Sequence, residues 1–217
     1  MLAFRLGSAA AALRTILCLG AHCDDIEIGC GGTVLRLIED NPDLAVHWVV
    51  FSGTTVRREE ARRAAERVTA RARERQITIH EFRDGFFPYI GADIKRSFEQ
   101  LKQDVQPDLI FTGLQQDLHQ DHRLINELSW NTFRSHLILE YEIPKYDGDL
   151  GIPGLFAPLP PELCDRKIDI LLECYESQRT KHWFTRDLFM AILRLRGMEA
   201  NAAPGLAEAF YCRKGIL

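Results

Sequence analysis

Nowhere does the sequence hold the run of about eighteen apolar residues that a bilayer-crossing helix needs, so a soluble protein without a transmembrane segment is expected. The six cysteines, Cys18, Cys23, Cys30, Cys164, Cys174 and Cys212, include no CxxC pair. Most stand among apolar neighbours, where a free thiol behaves as a small hydrophobe, and a reduced, cytoplasmic setting suits them. A broad basic face is also missing. The formal net charge is −4 and the 27 lysines and arginines are dispersed, so nucleic acid is not expected as a partner. The densest basic run, residues 57–75, is interleaved with Glu59, Glu60, Glu66 and Glu74 and reads as the solvated face of a helix. There are no internal repeats or low-complexity tracts. A cleaved leader is not expected either. An early arginine and a run of alanines imitate one, but Arg14 interrupts the apolar stretch, and the small residues Gly20 and Ala21 would put the cut beside the motif described below. Peripheral attachment through the first thirteen residues stays open.

What is present suits one domain over residues 1–217, with an extension at about 1–13: 46% of residues are apolar and 27% charged, enough to bury a core. Short apolar runs at 15–19, 45–51, 76–82, 108–112 and 136–141 predict strands. Segments with helical spacing at 31–40, 57–75, 90–105 and 121–133 separate them. Such alternation predicts an α/β fold, a mostly parallel sheet flanked by helices on both faces. Residues 144–160, rich in proline and glycine, read as a long loop near the pocket. Helices are expected at 161–177 and 185–196, and a last strand at 208–212.

In parallel sheets ligands bind beyond the carboxyl ends of the strands. Two clusters of titratable residues fall there. His22-Cys23-Asp24-Asp25 follows the first strand and His119-Gln120-Asp121-His122 the fourth, while Ser52-Gly53-Thr54 and Arg83-Asp84-Gly85 should line the same rim. Zinc takes imidazole nitrogen and carboxylate oxygen, and a catalytic site keeps one position open beside three protein ligands. Consecutive carboxylates at Asp24 and Asp25 point in different directions, so one can bind metal while its neighbour faces the attacking water and takes its proton. His122 would complete the metal shell. His119 is then free to stabilise an oxyanion or protonate a leaving amine, and Asp121 to fix an imidazole tautomer. Glycines 29, 31 and 32 are expected to turn the backbone sharply into the first helix. Glu27 either caps that helix or supports a metal ligand.

The stretch Ala21-His22-Cys23-Asp24-Asp25-x-Glu27-x-Gly29-x-Gly31-Gly32 resembles the signature of the LmbE/PIG-L family of zinc-dependent N-acetyl-sugar deacetylases, and His119-x-Asp121-His122 resembles its second motif. Arg57-x-x-Glu60, Arg83-Asp84, Tyr175-x-Ser177-Gln178 and Ala207-Glu208-Ala209-Phe210 are similar to further family landmarks, so the likeness runs from residue 14 to the end. The resemblance implies a Rossmann-like three-layer sandwich. It implies His22, Asp25 and His122 as metal ligands, Asp24 as general base, His119 as electrostatic or acid partner, and Arg57 and Asp84 as sugar contacts. It also implies zinc, replaceable by ferrous iron or cobalt, and an amino-sugar substrate or conjugate. Two departures stand out: Cys23 replaces the family's usual proline, and Asp117 stands where some members place a tyrosine.

Rival readings are a zinc amidase for another acylated amine, in natural-product or thiol-cofactor biosynthesis, and a non-catalytic sugar- or nucleotide-binding module. Gly29-x-Gly31-Gly32 does not match the GxGxxG spacing of the latter. Oligomeric state is not legible, and a homo-oligomer stays open. His47, His80, His136 and His182 have no ligand-type neighbours and are assigned no role; Trp48, Trp130 and Trp183 are assigned to packing.

Overall fold

The five apolar runs pair into parallel strands because both of their faces are covered, as the computed structural model of residues 13–201 and 203–216 shows. They are β1 (Thr15–Gly20), β2 (Ala45–Ser52), β3 (Glu74–Phe82), β4 (Leu109–Gly113) and β5 (Leu137–Tyr141). Register is set by facing apolar residues such as Cys18 with Trp48, Leu17 with Ile110, and Ile110 with Ile138. Two further strands, β6 (Leu155–Pro158) and β7 (Ala207–Tyr211), add antiparallel, giving the order β3-β2-β1-β4-β5-β7-β6. The extension expected at about 1–13 lies outside the described residues apart from Leu13. Among the described residues no helix is long and apolar enough to cross a membrane.

Side chains of each strand alternate between two apolar cores. Ile16, Cys18, Trp48 and Phe111 face one core with α1 (Asp25–Asp40), α2 (Thr55–Val68), α5 (Pro161–Cys174) and α6 (Arg186–Glu199). Leu17, Leu19, Phe51 and Ile110 face the other with α3 (Gly91–Asp104) and α4 (Gln120–Thr132). The expected three layers are present.

Three boundaries differ from expectation. Helix α1 starts at Asp25, not residue 31, so glycines 29, 31 and 32 lie inside it and make no turn. Gly29 and Gly32 serve close approach instead. A Cβ on Gly29 would fall within the Tyr141 ring, and one on Gly32 would lie 2.5 Å from Leu159 Cδ1. The backbone polar groups of this glycine-rich stretch of helix are braced from outside. Glu208 on β7 accepts the Gly32 and Thr33 amides at 2.9 and 2.7 Å, while Lys167 on α5 donates to the Ile28 carbonyl at 2.7 Å and pairs with Glu208 at 2.6 Å. Packing thus overrides low intrinsic helix propensity. The charged run 57–75 does not stay helical: α2 ends at Val68, and Glu74 and Arg75 open β3, whose place at the sheet edge lets a polar strand be solvated. Residues 155–158 of the expected loop form β6, an edge strand ending in proline.

In this order β2 and β3 lie on one side of β1, and β4 and β5 on the other. The loops after β1 and β4 therefore diverge from a topological switch point, which opens a crevice at the carboxyl edge.

Candidate metal centre

His22 and His122 are 100 residues apart in sequence, yet His22 Nδ1 and His122 Nε2 lie 3.0 Å apart at the switch point. Asp25 Oδ2 stands 3.6 Å from the first and 3.4 Å from the second. Ligands about 2.0–2.1 Å from a tetrahedral ion are separated by about 3.3 Å, so these three atoms carry the spacing of one face of such a shell. His119 joins the two histidines in a cluster whose donor atoms lie within 4.8 Å of one another; His22, Asp84, His119 and Asp121 make a second such cluster.

Local structure explains the convergence. The chain leaves β1 at Gly20, and Asp25 begins α1, where its Oδ2 accepts the His22 amide at 2.8 Å and ties the loop into one unit. Burial alone would raise the Asp25 carboxyl, but the charges of His122 and His22 overcome that and hold it well below the ordinary carboxylate range. Burial likewise opposes protonation of His22 and His122. Asp25, helped by other carboxylates, wins in both cases, raising His22 well above its usual value and His122 to about 9.

His22 and His122 each have a second partner. His22 Nε2 lies 3.0 Å from Asp84 Oδ1 and 3.4 Å from Asp121 Oδ2. His122 Nδ1 bonds Asp117 Oδ2 at 2.8 Å. Carboxylates placed so on the far nitrogen fix tautomer and ring orientation. The expected tautomer-fixing residue, Asp121, reaches His22 only at that longer distance and mainly organises the loop after β3, accepting the Gly85 amide at 2.7 Å and the Phe87 amide at 3.2 Å. The partner of His122 is Asp117, which also binds Lys145 at 2.9 Å and accepts the His119 amide at 2.7 Å. Lys145 in turn pairs with Asp149, so the segment after β5 clamps the centre. Sequence reasoning noted Asp117 only as a departure from the family pattern and gave Asp117, Lys145 and Asp149 no role. The one available clue was the aspartate two residues before His119, in the place of a tyrosine.

His119 is the N-cap of α4, its Nδ1 accepting the Asp121 amide at 3.2 Å. In a neutral ring the proton then sits on Nε2, which is left as a donor. Burial, followed by the charges of His22 and His122, lowers its pKa and favours that neutral form. Asp24 pairs with Arg57 Nη2 at 2.8 Å and is not among the grouped ligand atoms. Thus Arg57 meets Asp24, and Asp84, whose carboxyl is held down first by its hydrogen bond from His22, is the most exposed acid of the group at 72%.

Glu27 does not cap α1. Tyr175 donates its hydroxyl proton to the Cys23 carbonyl and lies 2.8 Å from Glu27 Oε1. Burial pushes the Glu27 carboxyl up to about 8, so near neutral pH it can donate to the tyrosine oxygen, and the pair supports the loop between His22 and Asp25 from below. Cys23 is 1% exposed and donates to the Ser52 carbonyl at 3.1 Å. Burial pushes its thiol up to about 12. It fills the space under Gly53, where a Cβ would meet its sulfur at 2.5 Å. Cys23 is a packing residue. In the native protein a thiol alkylator should therefore label exposed Cys212 and spare Cys23; mass spectrometry showing Cys23 labelled at a comparable rate would contradict this assignment.

Residues 17–133 match the family model PIG-L, described as GlcNAc-PI de-N-acetylase. The chain belongs to the PIG-L family. The uncharacterized deacetylase YaiS of Escherichia coli (strain K12) is 32% identical over 146 residues, covering 61% of this chain and 75% of that one. Two solved structures share the fold at 18% identity. The N,N'-diacetylchitobiose deacetylase of Pyrococcus horikoshii superposes with a TM-score of 0.70 over 92% of this chain and 84% of its own. GalB, the 4-carboxy-2-hydroxymuconate hydratase of Pseudomonas putida KT2440, does so with a TM-score of 0.75 over 94% and 98%. A hydratase and a deacetylase on one scaffold mean that the reaction is to be argued from the site's residues.

Proposed function

We propose that this PIG-L family chain is a zinc-dependent N-deacetylase that releases acetate from an N-acetylglucosamine-type sugar or its conjugate. The observation that carries the reading is the approach of His22 Nδ1, His122 Nε2 and Asp25 Oδ2 to within 3.6 Å of one another, with a second buried carboxylate, Asp24, next to Asp25 in the chain and paired with Arg57. Two imidazole nitrogens and one carboxylate oxygen suit zinc, and the same donors also accept ferrous iron or cobalt. His22, Asp25 and His122 would hold the ion, which as a Lewis acid polarises the amide carbonyl and acidifies water.

The remaining steps belong to the chain. Asp24, oriented by Arg57, takes a proton from the attacking water. His119 donates its Nε2 hydrogen to the carbonyl oxygen as that oxygen gains negative charge. The proton held by Asp24 then passes to the leaving nitrogen as the carbon–nitrogen bond breaks, giving free amine and acetate. Asp121 holds the loop that carries Asp84, and Asp84 and Arg57 meet the sugar hydroxyls. In this reading the whole chain acts as one domain. The five buried free cysteines support a reducing cytoplasmic setting.

The test is amine release from a panel of N-acetylated sugars and glycosides by zinc-loaded, chelator-stripped and reconstituted protein. Release is expected from the loaded protein, to fall to background on stripping, and to return with about one equivalent of zinc. Release that survives stripping, or none from any sugar, would sink the reading.

A further inference from the structure

Single apolar side chains on a surface are ordinary, but their concentration in one place is not. Among the described residues nine large apolar side chains are exposed, and five of them, Val56, Phe86, Tyr89, Leu118 and Tyr146, stand on segments that leave the carboxyl ends of β2, β3, β4 and β5. They therefore share the edge that carries His22. The segment after β3 carries Phe86 and Tyr89, and the segments after β4 and β5 carry Leu118 and Tyr146, two walls that come from strands on either side of β1 and border the candidate centre.

Both walls are fastened to it. On one side Phe86 and Tyr89, with ring centroids 6.0 Å apart, follow Gly85, whose amide is held by Asp121. On the other, Leu118 precedes His119 and donates its amide to Asp149 at 2.7 Å, and Asp149 is paired with Lys145, the neighbour of Tyr146. Tyr89 and Tyr146 are 78% and 74% exposed, leaving broad apolar area free beside the site.

The charges at this edge point the same way. Asp24, Asp25, Asp84, Asp117, Asp121 and Asp149 gather here, and the two cations that pair with this group, Arg57 and Lys145, together with a divalent ion leave it negative. The nearby cations are already engaged. Arg57 pairs with Asp24, Lys145 is shared by Asp117 and Asp149, Arg58 pairs with Glu81, Arg123 bonds the Asp117 and Leu118 carbonyls, and the Arg83 guanidinium lies 3.6 Å over the Phe86 ring. A phosphate needs cations aimed at it.

We infer that the amino sugar is presented on a neutral, apolar aglycone, an alkyl or aryl group seated between these two walls, and that phosphate-linked conjugates are disfavoured. This rests on the deacetylase reading above. The test compares free N-acetylglucosamine, its octyl and p-nitrophenyl glycosides, N-acetylglucosamine 1-phosphate and UDP-N-acetylglucosamine as substrates of the zinc-loaded full chain and of Tyr89→Ser and Leu118→Ser. The octyl glycoside should exceed the free sugar in kcat/KM by about tenfold or more, mainly through KM. Both phosphate compounds should fall below the free sugar. Each serine variant should narrow the octyl-to-free ratio without changing the thermal transition. Equal kcat/KM across the neutral compounds, or preference for a phosphate compound, overturns the inference. Calorimetric binding of the same compounds to Asp24→Asn ranks them without turnover. Absence of hydrolysis would thus count against the deacetylase reading, while the binding order still decides the subsite; a membrane or protein partner on this surface would leave that order flat.

Discussion

Asp24→Asn is expected to lower the turnover of acetyl release by about 10²–10⁴-fold, the contribution of a positioned general base. The substitution keeps shape and the capacity to accept a hydrogen bond from Arg57, which stands 2.8 Å from the native carboxylate. What it removes is the ability to take a proton. Because Asp24 pairs with Arg57 and is not among the grouped ligand atoms, metal content by elemental analysis should match the unsubstituted protein. That pairing of results separates a base from a ligand. Turnover within about tenfold of the native value would remove Asp24 from the proposed chemistry, and loss of metal would reassign it to the shell.

Asp117→Asn should weaken metal binding by about 10–100-fold, although Asp117 is not placed as a ligand. Its carboxylate accepts from His122 Nδ1 and anchors Lys145. Asparagine keeps the volume and loses the charge that both partners share. The same contact shapes the pH dependence. Burial works against protonation of His122, but the Asp25 charge and the Asp117 hydrogen bond raise it to about 9 in the ion-free protein. Metal and proton compete for Nε2, so affinity should climb as pH rises toward about 9, where the His122 part of the dependence levels off while the His22 proton, also held by Asp25, extends the climb. In Asp117→Asn the levelling should begin at lower pH, because a group that stabilises the imidazolium is gone. Competition titration with a chromogenic chelator across that range reads both effects, and a native affinity that does not change with pH would contradict them.

These predictions turn on residues of unequal legibility. Four of the five parallel strands were readable as apolar runs and β3 as Ile77, Ile79 and Phe82 set among polar residues, and their order of appearance put His22 and His119 on one edge by a general rule of parallel sheets. The start of α1 was not readable, since three glycines in four positions suggest a turn until Tyr141, Leu159 and Glu208 are seen packed against them. The end of α2 was hidden for the opposite reason. Its charge pattern runs on through residues 69–73 into β3, and an exposed edge strand tolerates charge as well as a helix face does.

At the centre itself, Asp117, Lys145 and Asp149 escaped notice because nothing local distinguishes an aspartate that holds a histidine five residues on from one that caps a helix. The two pairs that look alike in sequence, Asp24-Asp25 and Asp117-Asp121, divide their work only once backbone direction is set. Asp25 begins a helix and turns inward, while Asp24 meets an arginine from another element.

By itself the sequence determined the chemical types at the candidate centre, imidazoles and carboxylates following strands one and four, and with them the class of ion and of acid–base work that such groups can perform. It also determined the alternating architecture, because apolar periodicity is a local property that any window of the chain displays. The tertiary structure alone decided which nitrogen of each imidazole faces which carboxylate. It also decided that a clamp after β5 reaches back to His122, and that the exposed apolar side chains collect around the mouth. Those are relations between segments up to 100 residues apart, set by strand order and by the rotamers that packing permits, and no local pattern encodes them.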